Sequence, residues 1–232
     1  MRRRSMLAIQ LALCIVVPAR VHAQTDPRPG VAVLPFLNGG SFGQDAEDFE
    51  ALTIGLQQML LTELSINSNI QVVDRLHLNA ILAGRDLGTS DRVDPGTAAQ
   101  IGRLVQARYV IAGSFIDLYG DLTMTASVVN VETSEIIKSE KVHGDRTETY
   151  DMVVELGDLV TRGADLPPLS RQVLTQRRDR EIPQEAIRLY TRAMLYEQSG
   201  DAAKAVELYM RVTKEYPQYT EAQQALEQIR GD

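Results

Sequence analysis

The segment that most suggests chemistry is a glycine-rich loop, Gly39-Gly40-Ser41-Phe42-Gly43, between a predicted strand and a predicted helix. Loops in this position can cradle phosphates, because backbone N–H groups and a helix N-terminus attract anions. Here acidic side chains crowd the place where phosphate charge would sit, and no lysine follows the loop. The acidic residues are Asp45, Glu47, Asp48 and Glu50. We therefore interpret the segment as a flexible loop and expect no cofactor there.

Other reactive side chains are scattered. His77 and His143 lie far apart in the sequence and lack the spacing of metal ligands, so we expect no metal site. Ser90, Ser114 and Thr123 lack the G-x-S-x-G context of a hydrolase nucleophile. The sequence therefore predicts no catalytic residue, and we expect the chain not to be an enzyme.

The first residues resemble a secretory leader. Three arginines, Arg2 to Arg4, precede an apolar run, and small residues at Val21 and Ala23 suit a signal-peptidase site. We expect a signal peptide over residues 1–23. Two alternatives stay open: lipidation of Cys14, and a twin-arginine signal beginning at Arg3.

Charge and cysteine content exclude several classes of function. Removing the leader, with its four arginines and no acids, changes the formal net charge from −7 to −11. An acidic chain without a basic run is a poor ligand for nucleic acid or anionic lipid. Cys14 is the only cysteine, so the cleaved chain would have no disulfide, no catalytic thiol and no cysteine-ligated zinc.

Apolar periodicity over residues 30–162 predicts an α/β (α+β) domain with a mixed sheet of about five strands and flanking helices. Asp94 and Pro95 are typical of a helix start, and Tyr119-Gly120-Asp121 is typical of a hairpin turn. The predicted strands are 31–36, 70–73, 109–118, 122–131 and 136–142, and the predicted helices are 49–65, 76–83, 95–105 and 145–162.

The remaining chain divides into a predicted linker and a helical region. Residues 163–182 contain Pro167-Pro168 and a charged run, which favour a linker or a short connecting helix. Residues 183–230 predict three helices: a hairpin, 185–198 and 202–215, and a capping helix, 220–229.

The predicted hairpin resembles a single tetratricopeptide (TPR) repeat, with an ordinary helical hairpin as the alternative. The residues that carry the resemblance are Leu189, Ala193, Tyr196, Gly200, Ala205, Tyr209, Val212 and Pro217. One repeat cannot bury its own faces. We therefore expect this region to lean on the α/β domain, on another subunit or on a partner protein, and to form a protein-interaction site.

The front domain resembles the CsgG/HfaB family and the related TolB N-terminal-like and LpoB-like envelope domains. The resemblance is carried by G-V-A-V-L-P-F at 30–36, the helix around Gly55, V-V-D-R at 72–75, V-D-P-G-T-A-A-Q-I-G-R-L at 93–104, Y-V-I-A-G-S at 109–114 and V-V-N-V-E-T-S-E-I at 128–136. The founding member of the family forms an outer-membrane pore. The tight turn at Tyr119-Gly120-Asp121 leaves no room for an inserted spanning hairpin, so we expect no pore here.

The resemblance implies a non-enzymatic protein of the periplasm or outer membrane of a Gram-negative-type bacterium, active in curli-type assembly or secretion of surface structures. It implies envelope protein partners, self-association or both. A regulator that activates a peptidoglycan synthase by contact, as LpoB-like proteins do, is one alternative. A ligand-binding protein with an unrecognised site is another. The sequence predicts no nucleic-acid partner, no cofactor and no transmembrane helix after signal cleavage.

Overall fold

The computed structural model describes residues 26–83 and 94–231. The predicted leader, including Cys14, and residues 84–93 lie outside the described residues. The described chain has the expected mixed α/β architecture. Its strands are β1 (Gly30–Val33), β2 (Leu37–Asn38), β3 (Gln71–Val72), β4 (Tyr109–Leu118), β5 (Asp121–Asn130) and β6 (Glu135–Asp145). Its helices are α1 (Ala46–Ser65), α2 (Arg75–Ala83), α3 (Pro95–Leu104), α4 (Thr149–Gly163), α5 (Arg171–Arg178), α6 (Gln184–Gln198), α7 (Ala202–Glu215) and α8 (Thr220–Gly231).

The six strands form one mixed sheet in the order β3-β1-β4-β5-β6. The first three of these run parallel, while β4, β5 and β6 form an antiparallel meander. The additional strand is β2, which pairs with β4 beyond the end of β1, with Leu37 opposite Ser114. Strand β2 lies where the sequence predicts the end of a strand and the start of a loop. The sequence does not predict β2 itself, because two residues are too few to show the period of a strand.

Aspartate side chains cap α2 and α3, and the helix start predicted at Asp94 is confirmed. Asp94 caps α3, where its Oδ1 accepts a hydrogen bond of 3.0 Å from the Thr97 backbone N–H, and Pro95 is the first helical residue. Hydrogen bonds from the hydroxyl and backbone of Thr97 hold the pKa of Asp94 below its usual value. Asp74 caps α2 in the same way, accepting from the His77 N–H at 2.9 Å. Asp74 is therefore the capping residue of α2.

The two faces of the sheet are covered to different extents. One face packs against α1 and α4 in the main core, which includes Ile111, Met124 and Leu156. The other face packs against α2 and α3 in a smaller core, which includes Leu78 and Ile101. These two helices cover only part of that face. The distal part of β4, the first residues of β5 and most of β6 are left partly exposed, and we call this area the open half of the sheet.

Helix α1 is buried on two sides. Leu56 and Leu60, both fully buried, belong to the main core that backs the sheet, and the opposite side meets α6. At the crossing, a Cβ on Gly55 would lie 2.1 Å from Cγ2 of Thr191, so only glycine fits this close approach. The main core is therefore continuous from the sheet to α8. The division into residues 30–162, 163–182 and 183–230 stays a prediction about folding units, and α5 lies inside the predicted linker.

Gly113 in β4 provides a first test of the packing. A Cβ at this position would lie 2.4 Å from Cε1 of the buried Phe36 ring. We expect Gly113→Val to lower the free energy of unfolding by about 2 kcal/mol, because overpacked cores lose roughly this amount. The measurement is urea denaturation. Ser114→Val, on the next residue and the opposite face of the sheet, is the matched control and should change stability little. Equal losses in the two variants would contradict the packing argument.

Gly55 provides a second test. Alanine is normally the better helix former by about 1 kcal/mol, yet we expect Gly55→Ala to destabilise the protein, because its methyl group would overlap Thr191. Thr191→Gly removes the obstacle. In a double-mutant cycle, the two changes together should cost less than the sum of the single changes, with a coupling energy of about 1 kcal/mol or more. Strict additivity would show that the helices do not meet at these residues.

Candidate interaction surface

Four large apolar side chains are exposed together at the end of the sheet where β4 turns into β5. Phe42 is 59% exposed, Ile116 40%, Leu118 48% and Tyr119 83%. Phe42 forms an isolated bridge with Leu118, and a Cβ on Gly43 would lie 2.8 Å from the Tyr119 ring. We call these four residues the β4–β5 tip. Their grouping makes the tip a surface for contact with another apolar surface.

The backbone of the tip is held in one conformation. Tyr119 and Gly120 have φ values of 57° and 104°, which is the type I′ geometry favoured by two-residue hairpins. The Phe42 N–H donates to the Asp117 carbonyl at 2.7 Å, and the Tyr119 N–H donates to the Phe42 carbonyl at 3.0 Å. The loop before α1 and the hairpin turn are therefore bonded into one unit.

A buried ion pair supports this unit from below. The Asp117 side chain is fully buried and pairs through both carboxylate oxygens with the Arg146 guanidinium. Its Oδ1 also accepts a hydrogen bond of 2.9 Å from the Gly120 N–H, which closes the turn. The Asp117 backbone N–H donates to Ser41 Oγ at 3.0 Å, and that hydroxyl donates to Asn38 Oδ1 at 2.7 Å. The Asp117 carboxylate thus has a partner for each of its oxygens, as a buried charge requires.

The glycine-rich loop has a structural role in these contacts. Gly40 and Gly43 have φ values of 102° and 95°, which favour glycine. The same residues also fit a G-x-S-x-G pattern around Ser41, but its hydroxyl is already bonded to Asn38 and Asp117. Three of the acidic residues that follow face Arg192, which pairs with Asp48 and lies 3.6 Å from Asp45 and 3.5 Å from Glu47.

The two histidines that are not expected to bind a metal, His77 and His143, lie on different elements of the fold. His143 on β6 lies with its Nε2 2.7 Å from Asp121 Oδ1, and both side chains are mostly exposed. His77 is in the first turn of α2. Within residues 26–83 and 94–231, no group of three or more histidine, cysteine, aspartate or glutamate side chains is placed to hold a metal ion.

A cleft of about 460 Å³ lies beside the open half of the sheet, between β2 and the start of α3. Its lining is mostly apolar and includes Leu34, Leu37 and Ile136. Hydroxyl groups supply much of the remainder, from Ser114, Thr125 and Ser127. The carboxylate of Asp94 and the amide of Asn38, at the rim, are engaged in their own turns. The cleft could take an apolar group, and it contains no paired acid and base.

The structure places most of the predicted TPR-like residues inside the protein. Five of the eight are buried: Leu189, Ala193, Ala205, Tyr209 and Val212. Gly200, with a φ of 84°, makes the turn between α6 and α7, and Pro217 is exposed between α7 and α8. Tyr196 is half-buried, and its hydroxyl donates to Glu47 Oε1 at 2.5 Å, which raises the pKa of the tyrosine. These residues pack the hairpin and attach it to α1. Contact with a partner stays a prediction for this region.

Two arginines of α5 and its C-terminal flank connect the helical region to the rest of the chain. Arg177 pairs with Glu63 of α1, and both Arg177 and Arg180 pair with Glu221 of α8. Both guanidinium groups also lie over the Tyr150 ring of α4, 5.7 and 5.4 Å from its centroid. Burial acts to raise the pKa of Glu221, but hydrogen bonds from Arg180 and Arg177 outweigh it and hold that pKa below its usual value.

Sequence comparison relates the first part of the chain to a known family. Residues 19–125 match the family described as "Curli production assembly/transport component CsgG". This region is similar to CsgG. The CsgG-like match covers just under half of the chain, and its described part runs from the N-terminal segment into the start of β5. No curated protein matches the sequence.

Solved structures with related folds are distant. The LpoB C-terminal domain from Escherichia coli is 22% identical, with a TM-score of 0.40, and the match covers 50% of this chain and 82% of that one. TolB from Acinetobacter baumannii is 14% identical, with a TM-score of 0.42 and coverage of 62% and 30%. The PelC dodecamer from Paraburkholderia phytofirmans is 14% identical, with a TM-score of 0.35 and coverage of 56% and 85%.

None of the helices within the described part of the chain combines the length and apolar character needed to cross a bilayer.

The residues of the β4–β5 tip were not predicted from the sequence as an exposed surface. Ile116 and Leu118 continue the apolar pattern of a buried strand, so the sequence does not distinguish them from core residues. The available signal was their position: large apolar residues directly beside a tight turn are hard to bury.

The Glu221 contacts generate a prediction about pH. We expect Glu221→Gln to lower the free energy of unfolding by about 2 kcal/mol at neutral pH, because Arg177 and Arg180 lose a charged partner. The folded-state pKa of Glu221 lies below the ordinary glutamate value of 4.5. Its stabilising contribution is therefore present above about pH 4.5 and is lost as the pH falls through the folded value. Denaturation of both proteins from neutral to acidic pH should show the difference shrinking. A constant difference would contradict this assignment.

Proposed function

We propose that this protein is a non-enzymatic component of the bacterial cell envelope that acts by binding other proteins, with the β4–β5 tip as a contact surface. Within this class, its specific role would be in the assembly or secretion of surface structures. The CsgG-like match over residues 19–125 supports this class of function, since the family is described as a curli production assembly and transport component.

The observation that carries the proposal is the exposure of the tip on a rigid support. Four adjacent large apolar side chains are between 40% and 83% exposed, and the backbone beneath them is fixed by the Asp117–Arg146 pair. A fixed backbone lowers the conformational entropy lost on association, so such a surface is suited to binding. Tyrosine and phenylalanine are also common in interface cores.

The proposed location follows from the leader. If residues 1–23 are a signal peptide, the rest of the chain is exported to the periplasm. Lipidation of Cys14 would instead attach the protein to a membrane surface. In either case the tip would face partners within the envelope.

Two alternative functions place different demands on the same structure. A regulator that activates a peptidoglycan synthase by contact would also need an exposed, rigid apolar surface, so only the identity of the partner distinguishes it from an assembly component. A ligand-binding function would instead use the cleft of about 460 Å³, whose apolar lining and hydroxyl groups favour a neutral ligand.

Site-specific photo-crosslinking tests the proposal in cells. A benzophenone amino acid replaces Tyr119 at the tip, which is 83% exposed, and, in a second strain, Met210 on α7, which is 48% exposed. We expect an adduct with an envelope protein from position 119 and none from position 210. Mass spectrometry of the adduct separates a secretion or assembly component from a peptidoglycan synthase.

The control variant is Leu118→Asp, which should abolish the Tyr119 adduct without lowering the melting temperature, because Leu118 is 48% exposed. Adducts from Met210 alone would move the contact to the helical region. No adduct from either position, in a strain that exports the protein, would overturn the proposal.

A further inference from the structure

Strand β6 forms a long free edge of the sheet. It has 11 residues and pairs on one side with β5, and no other described strand pairs with its second side. Ile136 and Ile137 at one end are 48% and 40% exposed. A strand edge of this length is a template for pairing with another strand, and natural proteins either protect such edges or use them.

The hydrogen-bond pattern shows which residues face outward at this edge. The Val131 N–H donates to the Arg108 carbonyl, so odd-numbered residues of β5 bond to β4. The even-numbered residues of β5 must then bond to β6, because the directions alternate along a strand. Their partners on β6 are also even-numbered, as in the pairs Ala126–Glu140 and Met124–Val142. The N–H and C=O groups of Ser139, Lys141 and His143 therefore point away from the sheet.

In one antiparallel register, the charges along β6 are complementary to those of β6 in a second copy of the chain. If two copies pair about a twofold axis at Ser139, Lys138 of each copy lies opposite Glu140 of the other. These positions form non-hydrogen-bonded pairs, in which side chains approach most closely. Shifting the axis to Glu140 would oppose two glutamates, and shifting it to Lys138 or Lys141 would oppose two lysines. Among these registers, only the one centred on Ser139 brings opposite charges together.

The side chains are already placed for this arrangement. Lys138 Nζ and Glu140 Oε1 are 3.5 Å apart on the face of the sheet that carries α4, with exposed fractions of 48% and 20%. A second copy would extend this pair into a two-by-two cluster of four alternating charges across the two strands. The pairing ends at Ile137, because the register of β6 shifts by one residue there, with Val128 opposite Lys138 and Val129 opposite Ile136.

We propose that the partner of this edge is a second copy of the same chain, bound antiparallel through β6 with the twofold axis at Ser139. The ladder runs from Ile137 to Lys141 of each copy, and the Lys138–Glu140 pairs fix its register. This interface is separate from the β4–β5 tip and does not depend on the proposed function.

Charge reversal tests the register directly. Lys138→Glu would oppose two pairs of glutamates and Glu140→Lys two pairs of lysines, so each variant alone should dimerise roughly tenfold or more weakly than the wild type. An equimolar mixture of the two variants places glutamate opposite lysine at both positions and should regain dimer. The double variant should also dimerise. Sedimentation equilibrium over a concentration series of the purified, secreted protein measures all four.

The matched control is Lys141→Glu, which lies opposite Ile137 in this register and should leave the dimer unchanged. Melting temperatures of all variants are measured as well, because Lys138 and Glu140 lie beside Gly163 of α4 and Glu140 is only 20% exposed. Dimerisation is compared among the variants that remain folded. A wild-type protein that stays monomeric throughout the series, or a mixture that stays monomeric, would overturn the proposal. A Leu118→Asp variant that loses its crosslinks yet still dimerises would separate the two surfaces.

Discussion

The close approach of α1 and α6 at Gly55 and Thr191 is the constraint on which the rest of the structure depends. Because Gly55 has no side chain, α6 can approach α1 closely. Helix α1 then packs against the sheet on one side and against the helical region on the other. A single continuous core results. The Arg177 and Arg180 contacts to Glu63 and Glu221 then hold the periphery of the same junction, so the helices and the sheet stabilise each other.

This junction decides which surfaces remain available. Helices α1 and α4 cover one face of the sheet, and α2 and α3 cover part of the other. Helix α8 exposes the polar side chains of Gln224, Glu227 and Gln228. Exposed apolar side chains are grouped at the β4–β5 tip and beside the cleft and free edge at Ile136, while Leu76 and Met210 are exposed singly on helices. The helical region packs against α1 in the main core, and the grouped exposed apolar residues lie on the open half of the sheet and its margins.

Local signals predicted local structure well. Asp94 and Asp74 cap their helices because capping depends on only a few neighbouring residues. Buried and half-buried residues alternate along most of β5, as expected for a strand with one wetter face. Features that depend on distant parts of the chain were missed. The pairing of β2 depends on β4, and the packing of Gly55 on Thr191, 136 positions further along the chain. The exposure of Leu118 depends on where α2 and α3 stop covering the sheet.

The charges of β6 have two effects with one physical origin. Charged side chains on a free edge discourage pairing with unrelated strands, because a random partner leaves a lysine or glutamate without an opposite charge. When the charges alternate as Lys138 and Glu140 do, the same repulsion also rejects the shifted registers of a self-pair, and one register remains favourable. The intrachain ion pair places both charged groups 3.5 Å apart, so part of their side-chain entropy is already lost before association. Protection of the edge and selection of one partner are therefore compatible properties of the same few residues.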